Sequence, residues 1–386
     1  MNLGVEILLQ MINMSKVLTI LTLILFLNSC SKDPAEEGTG DVTGTPQTTT
    51  RTIITGHEII WGMDFLPNGD LIFTEKQGKI YLRSGETTIE LSGFPAVLTY
   101  GQGGLLDVKV HPDYSNNGWI YASFSAINPD GGGLLKLIRF KISNNQVQNI
   151  EIIFTSVGSN TWYGHYGSRI VFDKDNYIFL AVGEGGPRSY GGQTTDNNNA
   201  QDGKVSWGKI HRIKDDGTIP DDNPVISGNA GPTSVYSYGH RNPQGLAFHP
   251  ETQELWEAEH GPRGGDEVNI IKKGENYGWP AYSIGVNYDG TSISTGHTAS
   301  GITEPLYTWT PSIGVCGIAF LTSDKFKSWK GNLLATGLAS QKLYRCVVEG
   351  NRVTSEEVIL SDAGRVEMSL RPLMVRYMFR LKTRDV

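Results

Sequence analysis

Cysteine is scarce in this chain, with three in 386 residues, so no disulfide framework holds it and its stability must come from a packed core. Charge is also sparse: Asp, Glu, Lys and Arg make up 19%, the net charge is -7, and there is no run of Lys or Arg. Phosphate backbones are bound by clustered cations, which excludes nucleic acid as a partner. Beyond residue 50 no long stretch carries helical periodicity, which leaves short strands as the building element. With 38% hydrophobic residues the chain can still bury a substantial core, and an all-β barrel or propeller of this length can be one domain.

One apolar run stands apart, within MSKVLTILTLILFLNSC at residues 14–30. A basic start at Lys16, an apolar core of signal length and a terminal cysteine predict a secretory signal over residues 1–30, with Met14 as the true start. Leu27-Asn28-Ser29-Cys30 has the form of a bacterial lipobox, so Cys30 is expected to become a lipidated first residue. The expected location is exported, periplasmic or anchored at the outer membrane, with membrane contact only through the lipid. Residues 31–50 are polar and aperiodic and read as a flexible linker. For Cys316 and Cys346 a single bridge and two buried free thiols both remain open.

From residue 51 a unit recurs. Asp64-Phe65-Leu66-Pro67-Asn68-Gly69-Asp70 leads into Leu71-Ile72-Phe73-Thr74-Glu75, then a glycine turn, then Lys79-Ile80-Tyr81-Leu82. Variants begin at Val108, Ile170, Leu246 and Ile318, some followed by a further strand such as 209–213 or 267–271. A strand–turn–strand unit repeated at intervals of several tens of residues predicts propeller blades, since one such unit cannot bury its own faces. A β-sandwich would not repeat one hairpin with long, variable insertions. Five units are visible and a sixth is expected after Arg365, so the predicted class is all-β, a six-bladed propeller over 51–366 with an incomplete last blade.

Between the units, glycine clusters with polar residues in loops that let backbone approach a ligand closely. The segments GQGGLLDVKVHPD, GHYGSRIVFD, GKIHRIKDDGTIPDDNPV, SYGHRNPQGLAFHP and EHGPRGGDEVNIIKKGENYGWP resemble, in order, the hallmark segments of the quinoprotein glucose and aldose sugar dehydrogenases. The resemblance runs from about Gly56 to Arg365. It implies a six-bladed propeller that oxidises an aldose to its lactone with pyrroloquinoline quinone (PQQ) and calcium, passing electrons to an unidentified acceptor. By the same resemblance His165 is the general base, suited by a pKa near neutrality. Arg241 and Asn242 contact the quinone, the arginine stabilising negative charge that develops on it. Gln102 is a further quinone and substrate contact, and Arg365 the first of two arginines on the cofactor. The carbonyls of Gly261 and Pro262 would hold the calcium that binds the quinone, and Glu267 with the Tyr277 carbonyl a second, structural calcium. A solvated acidic turn is the plain alternative for Asp266 and Glu267. Two other functions compete: a propeller that binds a glycan or protein without redox chemistry, and a calcium-dependent lactonase.

The chain departs from the family pattern in three places. Gly164 replaces the acidic or amide residue before the catalytic histidine, so another group must orient His165. Lys342 is only an approximate counterpart of the family's lysine near the end of the fifth blade. Glu367 stands where the second cofactor arginine belongs and would repel the cofactor's carboxylates. Residues 367–386 are rich in Arg and Met, with no expected strand alternation. A reading-frame slip would account for this tail, because a neighbouring frame of 373–386 can be back-translated as PDGKIYVSVENSGR, a turn followed by a strand.

Overall fold

In the first repeat the Pro-Asn-Gly-Asp segment closes into a tight turn: the Leu66 N–H donates to the Asp70 carbonyl at 2.8 Å, and that of Gly69 to the Leu66 carbonyl at 2.9 Å. This turn joins β1 (Ile60–Phe65) to β2 (Leu71–Glu75), and β3 (Lys79–Ser84) and β4 (Thr87–Leu91) complete a four-stranded antiparallel sheet. The computed structural model describes residues 50–186, 198–293, 298–361, 365–370 and 378–382, with backbone alone for Lys325, 367–370 and 378–382. The expected signal, Met14, Cys30 and nearly all of the linker lie outside these residues. Among the described residues no helix is long and apolar enough to cross a membrane.

Four more sheets repeat the up-and-down order. They are β5 (Leu105–Val110) with β6 (Ile120–Ile127), β7 (Gly133–Ser143) and β8 (Gln146–Thr155); and β9 (Ile170–Phe172) with β10 (Ile178–Val182), β11 (Lys209–Ile213) and β12 (Val235–Tyr238). Then come β13 (Pro243–Phe248) with β14 (Leu255–Glu259), β15 (Asp266–Ile271) and β16 (Tyr307–Trp309); and β17 (Val315–Phe320) with β18 (Leu333–Gly337), β19 (Lys342–Val348) and β20 (Val353–Leu360). The first strands pack in sequence, β1 on β5, β5 on β9, β9 on β13 and β13 on β17, so they face the axis of an all-β propeller.

The count of six blades is corrected: among the described residues five sheets are four-stranded, and the remaining place is taken by a two-stranded sheet of β21 (Arg365–Leu370) and β22 (Met378–Lys382). The tail therefore does form strands, against expectation. Phe379-Arg380-Leu381-Lys382 alternates apolar and basic residues, which is enough to pair with β21. β21 lies beside both β17 and β1, and its Val366 is fully buried.

The core lies between blades. Ile72, Ile80, Ile120 and Ile138 pack between the first and second, and Leu137, Ile170, Leu180 and Trp207 between the second and third. Trp256, Val268, Val315 and Leu333 fill the space between the fourth and fifth. Carboxylates staple neighbours. Asp64 accepts from the Val110 N–H, Asp107 from that of Ile170 and Asp266 from that of Val315, at 2.8–2.9 Å. Arg169 pairs with Asp107 at 2.9 Å, donates to the Gln244 carbonyl at 2.8 Å and lies 4.8 Å from the Trp61 ring, tying four blades together. Gly245 is required by close approach, because a Cβ there would meet the Cys316 carbonyl at 2.5 Å. Cys316 and Cys346 are both free and buried, so of the two readings the free thiols hold.

Candidate active site

A single turn, 160–165, presents His165. Asn160 is buried, and its Oδ1 accepts the N–H groups of Trp162 and Tyr163 (3.2 and 2.7 Å) while its Nδ2 donates to the Gly164 carbonyl (2.6 Å). Tyr163 and His165 adopt positive φ, 63° and 46°, a sparsely populated conformation for such residues that the surrounding bonds must hold. Gln102 supplies one of those bonds, its Oε1 accepting the His165 N–H at 2.8 Å. The orienting group that Gly164 cannot provide is Glu184. This buried carboxylate lies just past β10 and meets His165 Nδ1 at 2.6 Å. Its other oxygen accepts the Gly186 N–H at 2.8 Å, and its own N–H donates to the Arg241 carbonyl at 2.8 Å. A carboxylate on Nδ1 fixes the proton there and leaves the Nε2 lone pair available. Burial lowers the pKa of His165 below its ordinary value, the Arg241 charge lowers it further, and Glu184 opposes both.

Glu259 holds the neighbouring pair, its Oε2 accepting the N–H groups of Arg241 and Asn242 at 2.5 and 3.2 Å. Asn242 Oδ1 in turn accepts the Gly167 N–H at 3.2 Å, two residues beyond His165. The Arg241 guanidinium lies 5.2 Å from the Trp279 ring and donates to the carbonyls of His260 (3.1 Å) and Gly261 (2.9 Å). Its Nε is buried without a partner. A buried guanidinium nitrogen lacking an acceptor, set against an indole, fits a planar anionic group such as the expected quinone. The Gly261 carbonyl does not fit a calcium ion in this arrangement, because the guanidinium already sits on it. Arg365 is exposed on β21, near enough that its charge contributes to holding His260 down to about 4, where burial is the leading cause. Lys342 opens β19 opposite Gly337, and its side chain forms no ion pair or hydrogen bond with a described residue. The Glu367 side chain lies outside the described residues.

The acidic turn is not solvated: Asp266 is buried, accepting the Gly261 N–H at 2.9 Å as well as that of Val315. Glu267 belongs to a larger acidic face. On β14 and β15, Glu257 pairs with Asn269 and Glu259 with Glu267. The Asn269 amide donates to Glu257 and Glu267 at 3.0 and 3.4 Å, yet Glu257 Oε1 and Asn269 Oδ1 are buried without partners. His240, Glu257 and Glu259 bring ligand atoms within 4.8 Å of one another. Burial, then repulsion from neighbouring carboxylates, raises the pKa of both Glu257 and Glu267 well above the ordinary range. The Tyr277 carbonyl accepts no hydrogen bond from a described residue. Such an oxygen-rich, charge-excess set suits a hard cation. Arg241, Gly261, Pro262, Glu267, Tyr277 and Trp279 line one recess, whereas a larger recess at Ile284 and 304–308 contains none of them.

Glu184, Glu257 and Glu259 escaped the reading of the sequence. The signal for the last two was present as a Glu-x-Glu alternation on a strand, which places both on one face. Glu184 was marked only as a lone acid following the apolar strand Ile178–Val182.

A propeller whose loops converge on a carboxylate-held histidine and a buried arginine defines a class of enzyme scaffold, and comparison with known proteins gives the family. Residues 57–368 match the Glucose / Sorbosone dehydrogenase family, to which the chain belongs. It is 38% identical over 312 residues to the aldose sugar dehydrogenase YliI of Escherichia coli, covering 79% of this chain and 82% of that one. The structure of the soluble aldose sugar dehydrogenase of E. coli in its apo-form aligns with TM-score 0.75 at 36% identity, covering 81% of this chain and 90% of that one. The PQQ-bound form of the aldose sugar dehydrogenase of Streptomyces coelicolor aligns with TM-score 0.67 at 30% identity, covering 83% and 87%. Glucose and aldose sugar dehydrogenases are thus this chain's relatives, which supports sugar oxidation with a quinone.

Proposed function

We propose that this chain oxidises an aldose at C1 to the lactone in a PQQ- and calcium-dependent reaction, with His165 as the general base. The observation that carries the reading is His165 itself: Nδ1 is bound to Glu184 at 2.6 Å, the Arg241 charge acts on the ring, and Nε2 has no hydrogen-bond partner among the described residues. Nε2 takes the proton of the anomeric hydroxyl, and the imidazolium that forms is stabilised by Glu184. The quinone, when bound, would supply the acceptor for the hydride leaving C1. Arg241, Asn242, Gln102 and Arg365 would hold it, and the unpartnered Arg241 Nε gives a donor for the negative charge that develops. Calcium belongs on the β14–β15 face, where Glu267, the Tyr277 carbonyl, Glu257 and Glu259 supply oxygen donors.

Export and lipidation at Cys30 complete the reading, placing the enzyme in the periplasm or at the outer membrane with its electrons passed to a further acceptor. The test is reconstitution of purified protein with calcium and PQQ, followed by dye reduction with several aldoses. Sugar-dependent reduction that requires the quinone supports the reading. Lactone hydrolysis without quinone, or sugar binding without reduction, replaces it with a lactonase or a binding propeller.

A further inference from the structure

We propose that Trp162, continued outward by Tyr163 and Tyr100, is an aromatic wall that receives the apolar C–H face of the sugar ring whose anomeric end meets His165. The proposal rests on the sugar-oxidation reading and names the residues that recognise the ring.

The Trp162 ring stands perpendicular to that of His165, 4.9 Å between centroids. Its place is cut by two glycines. A Cβ on Gly164 would come within 2.3 Å of the indole, and one on Gly186 within 1.8 Å. These residues adjoin His165 and follow Glu184 by two, so the indole is wedged against both backbone segments that carry the histidine–carboxylate pair. The loss of the side chain at 164, a gap when judged by the family pattern, is what admits the indole. Trp162 is nevertheless half-buried, and its Nε1–H donates to no described residue. A partly exposed indole beside the histidine, each with a ring nitrogen that has no partner among the described residues, presents both surfaces a sugar needs, an apolar plane and a polar edge.

The wall extends from there. Tyr163 is fixed by its hydroxyl, which donates to the Gly131 carbonyl at 2.5 Å, and by its carbonyl, which accepts the Gln102 N–H at 2.8 Å. Tyr100 packs edge-on against Tyr163 at 4.9 Å and is 67% exposed, the most exposed large apolar side chain among the described residues. Rigid exposed aromatics at a site mouth lose little freedom on binding, so they serve as contact area.

The experiment uses full-length protein and Trp162→Phe and Trp162→Ala variants. Holoenzyme kinetics with D-glucose are expected to give a KM raised about tenfold for Trp162→Ala, with kcat changed less than about threefold and Trp162→Phe retaining most of the affinity, because uniform binding is what is removed. Intrinsic fluorescence provides a readout without quinone. D-Glucose and maltose should perturb the wild-type emission, and the perturbation should fall in Trp162→Phe, which removes one of eight tryptophans. An unchanged KM in Trp162→Ala with active enzyme overturns the proposal and leaves the function standing. If no aldose is oxidised by wild-type protein, the function fails. The titration then decides the wall alone: a Trp162-dependent signal supports it, and an identical signal in the variant, or none, overturns it.

Discussion

At the scale of single residues, the pairing with Glu184 orients a strained loop histidine and so suits His165 to the proposed role of base. His165→Ala is expected to lower turnover about 10²–10⁴-fold while quinone binding persists, because only proton removal is lost; a variant with near-normal turnover removes His165 from the mechanism. Glu184→Gln separates charge from geometry. Glu184 raises the His165 pKa against burial and Arg241, so neutralising it lowers that pKa further. The base then stays unprotonated to lower pH, and the acid limb of kcat/KM, already expected below about pH 6.5, moves down while the plateau falls. An acid limb that stays in place in Glu184→Gln refutes the role. The Glu184 segment depends on a buried lysine farther back, whose pKa burial lowers to about 7: Lys209 Nζ donates to the carbonyls of Asn199, Ala200 and Trp207 at 2.7–3.0 Å, and Asn199 donates to the Glu184 carbonyl at 3.0 Å. Lys209→Met leaves the Trp207 carbonyl unserved and takes one of two donors from each of the Asn199 and Ala200 carbonyls, and denaturant unfolding should register a loss of about 1–3 kcal/mol.

At the scale of elements, β14 and β15 place like charges opposite each other where a sheet ordinarily avoids them. Glu257, Glu259 and Glu267 are tolerable together only if protons or a cation neutralise them. Calcium at a hundredfold excess over its dissociation constant should therefore add about 2.7 kcal/mol, and chelation should lower the melting temperature. Glu257→Gln has opposite signs in the two states: it removes a ligand from the loaded protein but relieves repulsion in the stripped one. Scanning calorimetry should find the variant less stabilised by calcium and more stable than wild type in chelator. Equal responses of variant and wild type to calcium would exclude Glu257 from the site. The strands themselves were legible in the sequence, because 64–82 and its variants carry the turn chemistry and apolar runs of a blade. Glu267 and Tyr277 were accessible only through the family resemblance. Glu184 and the Arg241–Gly261 contact were not legible, since each depends on segments 19 or 20 residues apart meeting across loops whose course no local pattern sets.

For the molecule as a whole, the question is how the ring closes between β20 and β1. β21 occupies the axial position between β17 and β1 and buries Val366, but only two strands stand where each other blade has four. The clusters in the first and fifth blades, Met63, Leu71 and Phe73 in one and Leu321, Leu334 and Leu343 in the other, are buried as the structure stands. The family match stops at residue 368, within β21, where the expected cofactor arginine is replaced by Glu367. We propose that a slip of reading frame underlies both the short sheet seen among the described residues and the charge at 367, whereas ordinary divergence would have to produce each separately. The DNA encoding 373–386 should then read, in the adjacent frame, as a Pro-Asp-Gly turn followed by a strand. Any other reading there ends the idea. Restoring the frame should supply the arginine and the outer strands in one step, so thermal stability and quinone affinity should rise together. A restored chain that gained stability alone would mean that the charge at 367 is immaterial to the cofactor. One that gained neither would mean that the two-stranded sheet already closes the ring.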